Sequence, residues 1–257
     1  MTSAHTPSPA NPTLPFQAYV INLKNATQRW SHMQQALQRA DLPYTRVEAV
    51  YGDQLREPIE AFNEKRFNIL TGKQRNLREI GCYLSHINAL QQFLHSTDSH
   101  ALILEDDVDL PETLPRLLTK AIDHSQHWDL LRLTSSRAGH YLNIAQLDAH
   151  HDLAYNTRVL KNTGAYLINR KAAQACVDKM LPMCLPYDVA LDRDWDYGFK
   201  TACIVPFPIK LEDFPGQIPK APRIRRYRAT TFHLFHILTR YQRIKHRKRY
   251  AHQAGII

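Results

Sequence analysis

The chain has 257 residues, enough for one large domain or a domain with an appendage, and 44% of them are hydrophobic, enough for a true core. No stretch approaches the roughly 18 consecutive apolar residues of a helical membrane span, which excludes an integral protein of that kind. The net charge of +9 is uneven: up to Asp213 there are 22 Lys/Arg against 24 Asp/Glu, and after it 11 Lys/Arg and no acid. This distribution argues against a nucleic-acid-binding body and for a basic appendage on a near-neutral, enzyme-like domain.

In chain order, residues 1–15 (MTSAHTPSPANPTLP) are rich in Pro, Ser and Thr and have no apolar h-region. They read as a disordered leader rather than a secretory signal. Ala18–Leu23 is a β-branched apolar run, the expected first strand of a buried sheet. Thr27 is the expected N-cap of a helix with Trp30, Met33, Leu37 and Ala40 on one face, stopped by Pro43. Tyr44–Val50 follows as a strand, giving a βαβ unit of a parallel sheet. A short helix is expected over Pro58–Phe67, and an amphipathic one from Arg78, with Ile80, Leu84, Ile87, Leu90 and Leu94 in register. Ala101–Leu104 is a buried strand that runs into acids, and Pro111 opens another helix. Trp128–Leu133 is a strand, residues 134–160 have room for a hairpin, Gly164–Asn169 is a strand and Arg170–Leu181 a helix. Cys203–Val205 is the last strand, after which Pro206, Pro208, Pro215, Pro219 and Pro222 punctuate the passage to the tail. The four cysteines, Cys82, Cys176, Cys184 and Cys203, form no CxxC pair, so they read as reduced thiols rather than a zinc or redox site.

The segment Leu102-Ile-Leu-Glu-Asp-Asp-Val-Asp109 is the most informative. In open α/β sheets, ligands sit at the carboxyl ends of strands, so Glu105, Asp106 and Asp107 are aimed at the expected crevice. Adjacent like charges repel unless a cation or solvent relieves them, and hard oxygen donors suit Mg²⁺ or Mn²⁺ held together with substrate phosphates. In an extended segment Glu105 and Asp107 share one face and Asp106 the other. Asp107 is therefore assigned to the metal, with Glu105 assisting it or holding a ribose, and Asp106 to the nucleotide. A solvated acidic loop after a core strand fits the same residues.

Four blocks together resemble glycosyltransferase family 25, the bacterial lipooligosaccharide galactosyltransferases and their relatives among collagen-modifying enzymes. They are Tyr19-Val-Ile-Asn-Leu23 with Arg29; Arg78-Glu-Ile-Gly-Cys-Tyr-Leu-Ser-His86; Leu102–Val108; and Thr163–Ala173 followed by Leu185-Pro-Tyr-Asp188. The resemblance implies a GT-A type α/β fold, that is, a Rossmann-like mixed sheet flanked by helices, over residues 16–215. It also implies a UDP-sugar donor, a divalent cation, inversion at the anomeric carbon and, most often, transfer of galactose to a cell-surface glycan such as lipooligosaccharide. The metal motif departs from strict Asp-x-Asp, because Glu105 holds the first place.

Inverting transfer requires a general base beyond the metal ligands. Asp188, at the place where the family carries an Asp, is the favoured base or acceptor ligand, with Asp192 and Asp194 as alternatives; an N-cap role for Asp188 fits equally. Asn22 and Arg29 suit the uracil or the phosphates, though a surface role for Arg29 is equally compatible. The resemblance places Ser85 and His86 near the donor, whereas His86 taken alone reads as structural. Gly164 would let the backbone approach sugar or phosphate, or simply form a turn.

Residues 216–257 read as a basic amphipathic helical tail. Leu234, Ile237, Leu238, Tyr241 and Ile244 form an apolar stripe, with Arg240, Arg243, Lys245, Arg247 and Arg249 around it. Such a helix suits an anionic leaflet, as expected of a cytoplasmic enzyme peripheral on the inner face of the plasma membrane, or packs on its own domain. Sparse aromatic interleaving argues against a nucleic-acid partner. Two rival readings are a metal-dependent phosphate-ester hydrolase, which clustered acids also suit, and a non-enzymatic membrane-tethering module resting on the tail alone.

Overall fold

The computed structural model describes residues 14–212, 218 and 221–257. All but the last two residues of the expected leader, and Pro215 and Pro219 of the proline-rich passage, lie outside these.

Three strands run parallel at one side of the sheet. β1 (Phe16–Asn22) pairs with β2 (Tyr44–Glu48) and β3 (His100–Glu105), so all three end at the same edge. Between β1 and β2 lies α1 (Thr27–Arg39), which starts from Ala26 without a side-chain cap, one residue earlier than a Thr27 cap requires. The expected helix near Pro58 is α2 (Glu64–Thr71), because Asn63 caps it by accepting from Arg66 N at 3.0 Å. Asn76 likewise starts α3 (Leu77–His95).

The chain continues through β4 (Val108–Asp109), α4 (Leu114–Ile122), β5 (Leu130–Arg132) and the hairpin β6 (Tyr141–Gln146) and β7 (Asp152–Asn156). Next come β8 (Ala165–Asn169), α5 (Arg170–Lys179), the short helices α6 (Tyr187–Leu191) and α7 (Asp194–Tyr197), β9 (Thr201–Val205) and β10 (Lys210–Leu211). The C-terminal segment consists of α8 (Arg225–Tyr227), a π-helical turn (Arg228–Phe232) and α9 (His233–Gln253).

Eight strands form one mixed sheet in the order β2-β1-β3-β8-β5-β9-β7-β6, while β4 and β10 pair separately. Strand β3 shows why the sheet is central. Leu102 and Leu104 enter the apolar cluster on one face, with α1 and α4, and Ala101 and Ile103 enter the cluster on the other, with α3 and α5. Both faces are therefore covered, and a continuous apolar run is what such a strand requires. The expected mixed sheet flanked by helices, with a basic C-terminal helix, is what the chain adopts. Among the described residues no helix is long and apolar enough to cross a membrane.

The C-terminal helix is joined firmly to this body. Tyr250 and Ala251 belong to the main apolar cluster. Arg243 pairs with Asp192 at 2.7 Å and Arg247 with Asp194 at 2.6 Å, and all four side chains are buried. The expected stripe is turned the other way: Leu234, Ile237, Leu238 and Tyr241 are 53–65% exposed. Arg243 and Arg247, expected on the basic rim around that stripe, instead face the protein.

Candidate active site

The carboxyl ends of β1, β2 and β3 border a cavity of about 360 Å³. Its walls are the residues following β2 (Ala49–Asp53), one face of α3 (Arg78, Cys82, Ser85, His86) and Glu105, Asp106 and Asp107. The loop lies close on α3 because two glycines meet there. A Cβ on Gly81 would stand 2.6 Å from Val50 O, and one on Gly52 would stand 2.2 Å from Leu77 O. Ser85 fastens the same contact, donating to Gly81 O at 2.7 Å and accepting from Val50 N at 2.8 Å. Expected near the donor, Ser85 does line the cavity, but its hydroxyl is engaged by the protein's own backbone.

The three acids have different surroundings. Asp106 is buried and accepts from Asn22 Nδ2 at 2.5 Å and Arg29 Nη1 at 2.9 Å, while Arg46 donates to Asn22 Oδ1 at 2.5 Å. Asn22, 1% exposed, is thus committed to Asp106 and Arg46 rather than available to a uracil. Glu105 Oε1 accepts from Thr163 Oγ1 at 3.0 Å and meets His86 Nε2 at 3.2 Å. Burial alone would raise the Glu105 carboxyl, but the hydrogen bonds from His86 and Thr163 outweigh it and hold the group below the usual carboxylate range. Asp107 is the uncompensated member. Its Oδ1 is buried with no hydrogen-bond partner, and its nearest cation, Arg29, is 3.7 Å from Oδ2 and already shared with Asp106. Burial, then the neighbouring Glu105 charge, pushes its carboxyl up to about 7 against the opposing pull of Arg29.

His86 is held on both sides. Its Nδ1 lies 3.2 Å from Tyr166 OH, which lies 2.9 Å from Tyr187 OH, and the Tyr187 ring stacks on the imidazole at 4.1 Å. Burial keeps both phenols neutral by raising them well above their ordinary range. Through Tyr187, therefore, α6 positions His86, and through His86 it positions Glu105. Asp188, the next residue, is half-buried and pairs with Lys161 at 3.2 Å. The remaining acids expected near it are placed differently. Asp192 is 1% exposed and bound by Arg243, and Asp194 is buried against Arg247 and Thr201 N, so neither is open to an acceptor hydroxyl. Gly164 does not approach a ligand either. A Cβ there would meet Asn162 Oδ1 at 2.9 Å, Val108 at 3.0 Å and Leu211 at 3.1 Å, so the space is filled by the protein.

Several participants carried no signal in the sequence. Thr163 and Tyr187 lie within the resembling blocks without distinguishing themselves. Cys82 has its Sγ within 4.8 Å of ligand atoms of His86 and Glu105, but burial raises its thiol, and the imidazole nitrogen it would share is taken by Glu105. Arg132 is fully buried in β5, donates to Asn162 O and has Nε and Nη1 without partners. No periodicity marks such a strand residue in advance.

The donor set fits a hard divalent cation. Asp107 Oδ1 is a desolvated carboxylate oxygen without a proton donor, and such an ion would complete it, while the ligand atoms of Glu105 cluster with those of His86 and Cys82.

Comparison with known proteins follows the same residues. The sequence model of glycosyltransferase family 25 (LPS biosynthesis protein) matches residues 16–191. A Haemophilus influenzae protein named "Putative glycosyltransferase" is 26% identical over 179 residues, covering 68% of this chain and 60% of that one. Procollagen galactosyltransferase 1-B of Xenopus laevis is 25% identical over 220 residues, covering 76% and 34%. Procollagen galactosyltransferase 2 of Mus musculus is 28% identical over 130 residues, covering 47% and 21%. The chain thus spans less than two thirds of the length of these relatives. A solved glycosyltransferase involved in glycosylation of the major capsid of PBCV-1 aligns with a TM-score of 0.33 and 14% identity over 62% of this chain and 61% of that one, too slight a likeness to position residues.

Proposed function

The chain belongs to glycosyltransferase family 25, and on that premise we propose that it moves a hexose, galactose first, from a UDP-sugar to a lipooligosaccharide or another cell-surface glycan, with inversion at the anomeric carbon. Galactose is supported by the names of two relatives and the acceptor class by the family's description. The observation that carries the reading is Asp107 Oδ1, buried and without a hydrogen-bond donor at the carboxyl end of β3, where diphosphates are bound in sheets of this kind.

Asp107 with Glu105 would hold Mn²⁺ or Mg²⁺, which when bound supplies positive charge against the leaving diphosphate. Asn22 and Arg29 fix Asp106, and Arg29 brings a guanidinium to the same edge. His86, locked by Tyr166 and Tyr187, keeps Glu105 ionised and oriented. Asp188 takes the proton of the acceptor hydroxyl as its oxygen bonds to the anomeric carbon. The bond from that carbon to the diphosphate breaks with its electron pair leaving on UDP. Purified protein given UDP-galactose, Mn²⁺ and a truncated lipooligosaccharide should release UDP; absence of release with each of several UDP-sugars overturns the reading.

A second reading concerns α9. Leu234, Ile237, Leu238 and Tyr241 form an exposed apolar stripe continued by the exposed cations Lys245 and Lys248 at helical spacing. This face suits an anionic leaflet, and it would hold the enzyme where a lipid-linked acceptor is presented. Co-sedimentation with phosphatidylglycerol vesicles, but not phosphatidylcholine vesicles, lost in Ile237→Asp, is the expected outcome; equal partition to both or neither removes it.

A further inference from the structure

A second cavity, of about 740 Å³, lies on the far side of α6 and is bordered by the C-terminal segment. No Asp or Glu lines it among the described residues, while eight Lys and Arg do. Three of the eight are matched by carboxylates: Lys73 by Glu79 at 3.8 Å, Lys161 by Asp188 at 3.2 Å and Arg243 by Asp192 at 2.7 Å. Arg137, Arg158, Arg223, Arg228 and Arg240 have no carboxylate partner among the described residues. Five such cations around one concavity repel one another and concentrate positive potential inside it, a standing attraction for a multiply charged anion. The remaining wall is apolar, with Leu185, Val189, Phe232 and Phe235, so the occupant has apolar faces as well as negative groups. A sugar ring with its C–H faces and anionic substituents has both.

The placement relative to the chemistry is specific. Helix α6 is the partition between the two cavities. Tyr187 stacks on His86, which lines the carboxylate cavity, whereas Pro186 and Val189 line the basic one. Asp188 follows Tyr187 on this helix and is joined to the basic cavity by its pair with Lys161.

We propose that this basic cavity is the acceptor subsite and that it selects a saccharide bearing phosphate or carboxylate groups, gripped by Arg137, Arg158, Arg223, Arg228 and Arg240. The proposal rests on the transferase reading above. It also explains why the last part of the chain contains Lys and Arg but no acid: eight of the cavity's lining residues come from Arg223–Arg243.

The test uses the full chain with saturating UDP and Mn²⁺, titrated calorimetrically with glucose 6-phosphate, glucuronate and glucose, alongside the double variant Arg223→Ala/Arg240→Ala, both of whose sites are exposed. Wild type should bind one or both anionic sugars about tenfold or more tighter than glucose, an advantage that shrinks with salt and disappears in the variant. The phosphate and carboxylate arms tell which group is preferred. Equal affinity for all three sugars overturns the proposal, as does a variant that keeps the preference, or a single-stranded RNA that outcompetes the sugars through the same arginines. UDP binding, recorded in parallel, separates the failures: its absence in wild type removes the transferase reading, while its presence without sugar discrimination removes only the subsite.

Discussion

Two groups of clustered acids follow structured elements in this chain, and they end in opposite states. At the end of β3, Glu105, Asp106 and Asp107 meet one guanidinium, Arg29, at 2.9 Å from Asp106 and 3.7 Å from Asp107. In the stretch of α6 and α7, Asp192 and Asp194 each have an arginine of their own, at 2.7 and 2.6 Å. Burial alone does not separate the groups, because each contains a carboxylate oxygen with no hydrogen-bond partner, Asp107 Oδ1 and Asp194 Oδ1. The difference is charge matching. Matched carboxylates fasten α9 to the sheet. The unmatched set leaves negative charge that a ligand must complete, which is how a site differs from a strut.

The largest expected effect breaks the matched group. Arg247→Ala leaves Asp194 buried without its cation, and removing one partner of a buried pair costs about 3–5 kcal/mol. For a chain of this size that lowers the midpoint of thermal unfolding by roughly 10 °C. Scanning calorimetry of the variant checks it, and a melt within a degree of wild type would abolish the distinction between the matched and unmatched groups.

The unmatched group should respond in the opposite way. Asp107→Asn removes a repelled carboxylate, so the protein should melt at the same temperature or slightly higher. Its UDP-releasing activity should fall about 100-fold or more, as when charge stabilisation of a leaving group is removed. EDTA should weaken UDP binding by wild type and leave Asp107→Asn unchanged. A variant that kept cation-dependent UDP affinity would return Asp107 to the solvated-loop interpretation.

This contrast marks how far the sequence could be read. The strands β1, β3 and β8, the helix α3 and the β6–β7 hairpin follow from apolar runs, helical spacing and the room left between them, all local signals. The site was legible to the same extent: the acid run closes a legible strand, His86 lies on the regular inward face of α3, and the fold joins the two through the His86–Glu105 contact. What was not legible are the partners. Arg243 and Arg247 lie 51 and 53 residues from the aspartates they neutralise, and Asn22 lies 84 from Asp106. Asp192 and Asp194 therefore stood as alternatives to Asp188, although both are buried against arginines and, of the three, only Asp188 is partly exposed. Gly164 misled for a related reason, since two of the three atoms nearest its missing Cβ come from the distant Val108 and Leu211.

A smaller effect sharpens the comparison within the unmatched group. His86→Phe keeps a ring against Tyr187 but removes the Nε2 contact to Glu105 and the Nδ1 contact to Tyr166. Losing a partner that orients a ligand costs about 10- to 100-fold in metal affinity or activity. Mn²⁺-dependent UDP binding should weaken by that factor while thermal stability changes little. An unchanged affinity would mean that Thr163 alone holds Glu105 in place.

The smallest expected effect belongs to Ser85, which borders the same cavity without adding charge. Ser85→Ala leaves Val50 N without its acceptor at the point where the loop 49–53 rests on α3, a loss of about 1 kcal/mol. Because Gly52 and Gly81 still bring the backbones together, the loop should keep its position on average and only loosen. UDP affinity should fall less than about fivefold with kcat unchanged, which separates a residue that shapes the cavity from one that acts in it. A loss as large as that of Asp107→Asn would instead mean that the serine hydroxyl itself contacts the nucleotide, and the wall formed by α3 would then be part of the charged site rather than its support.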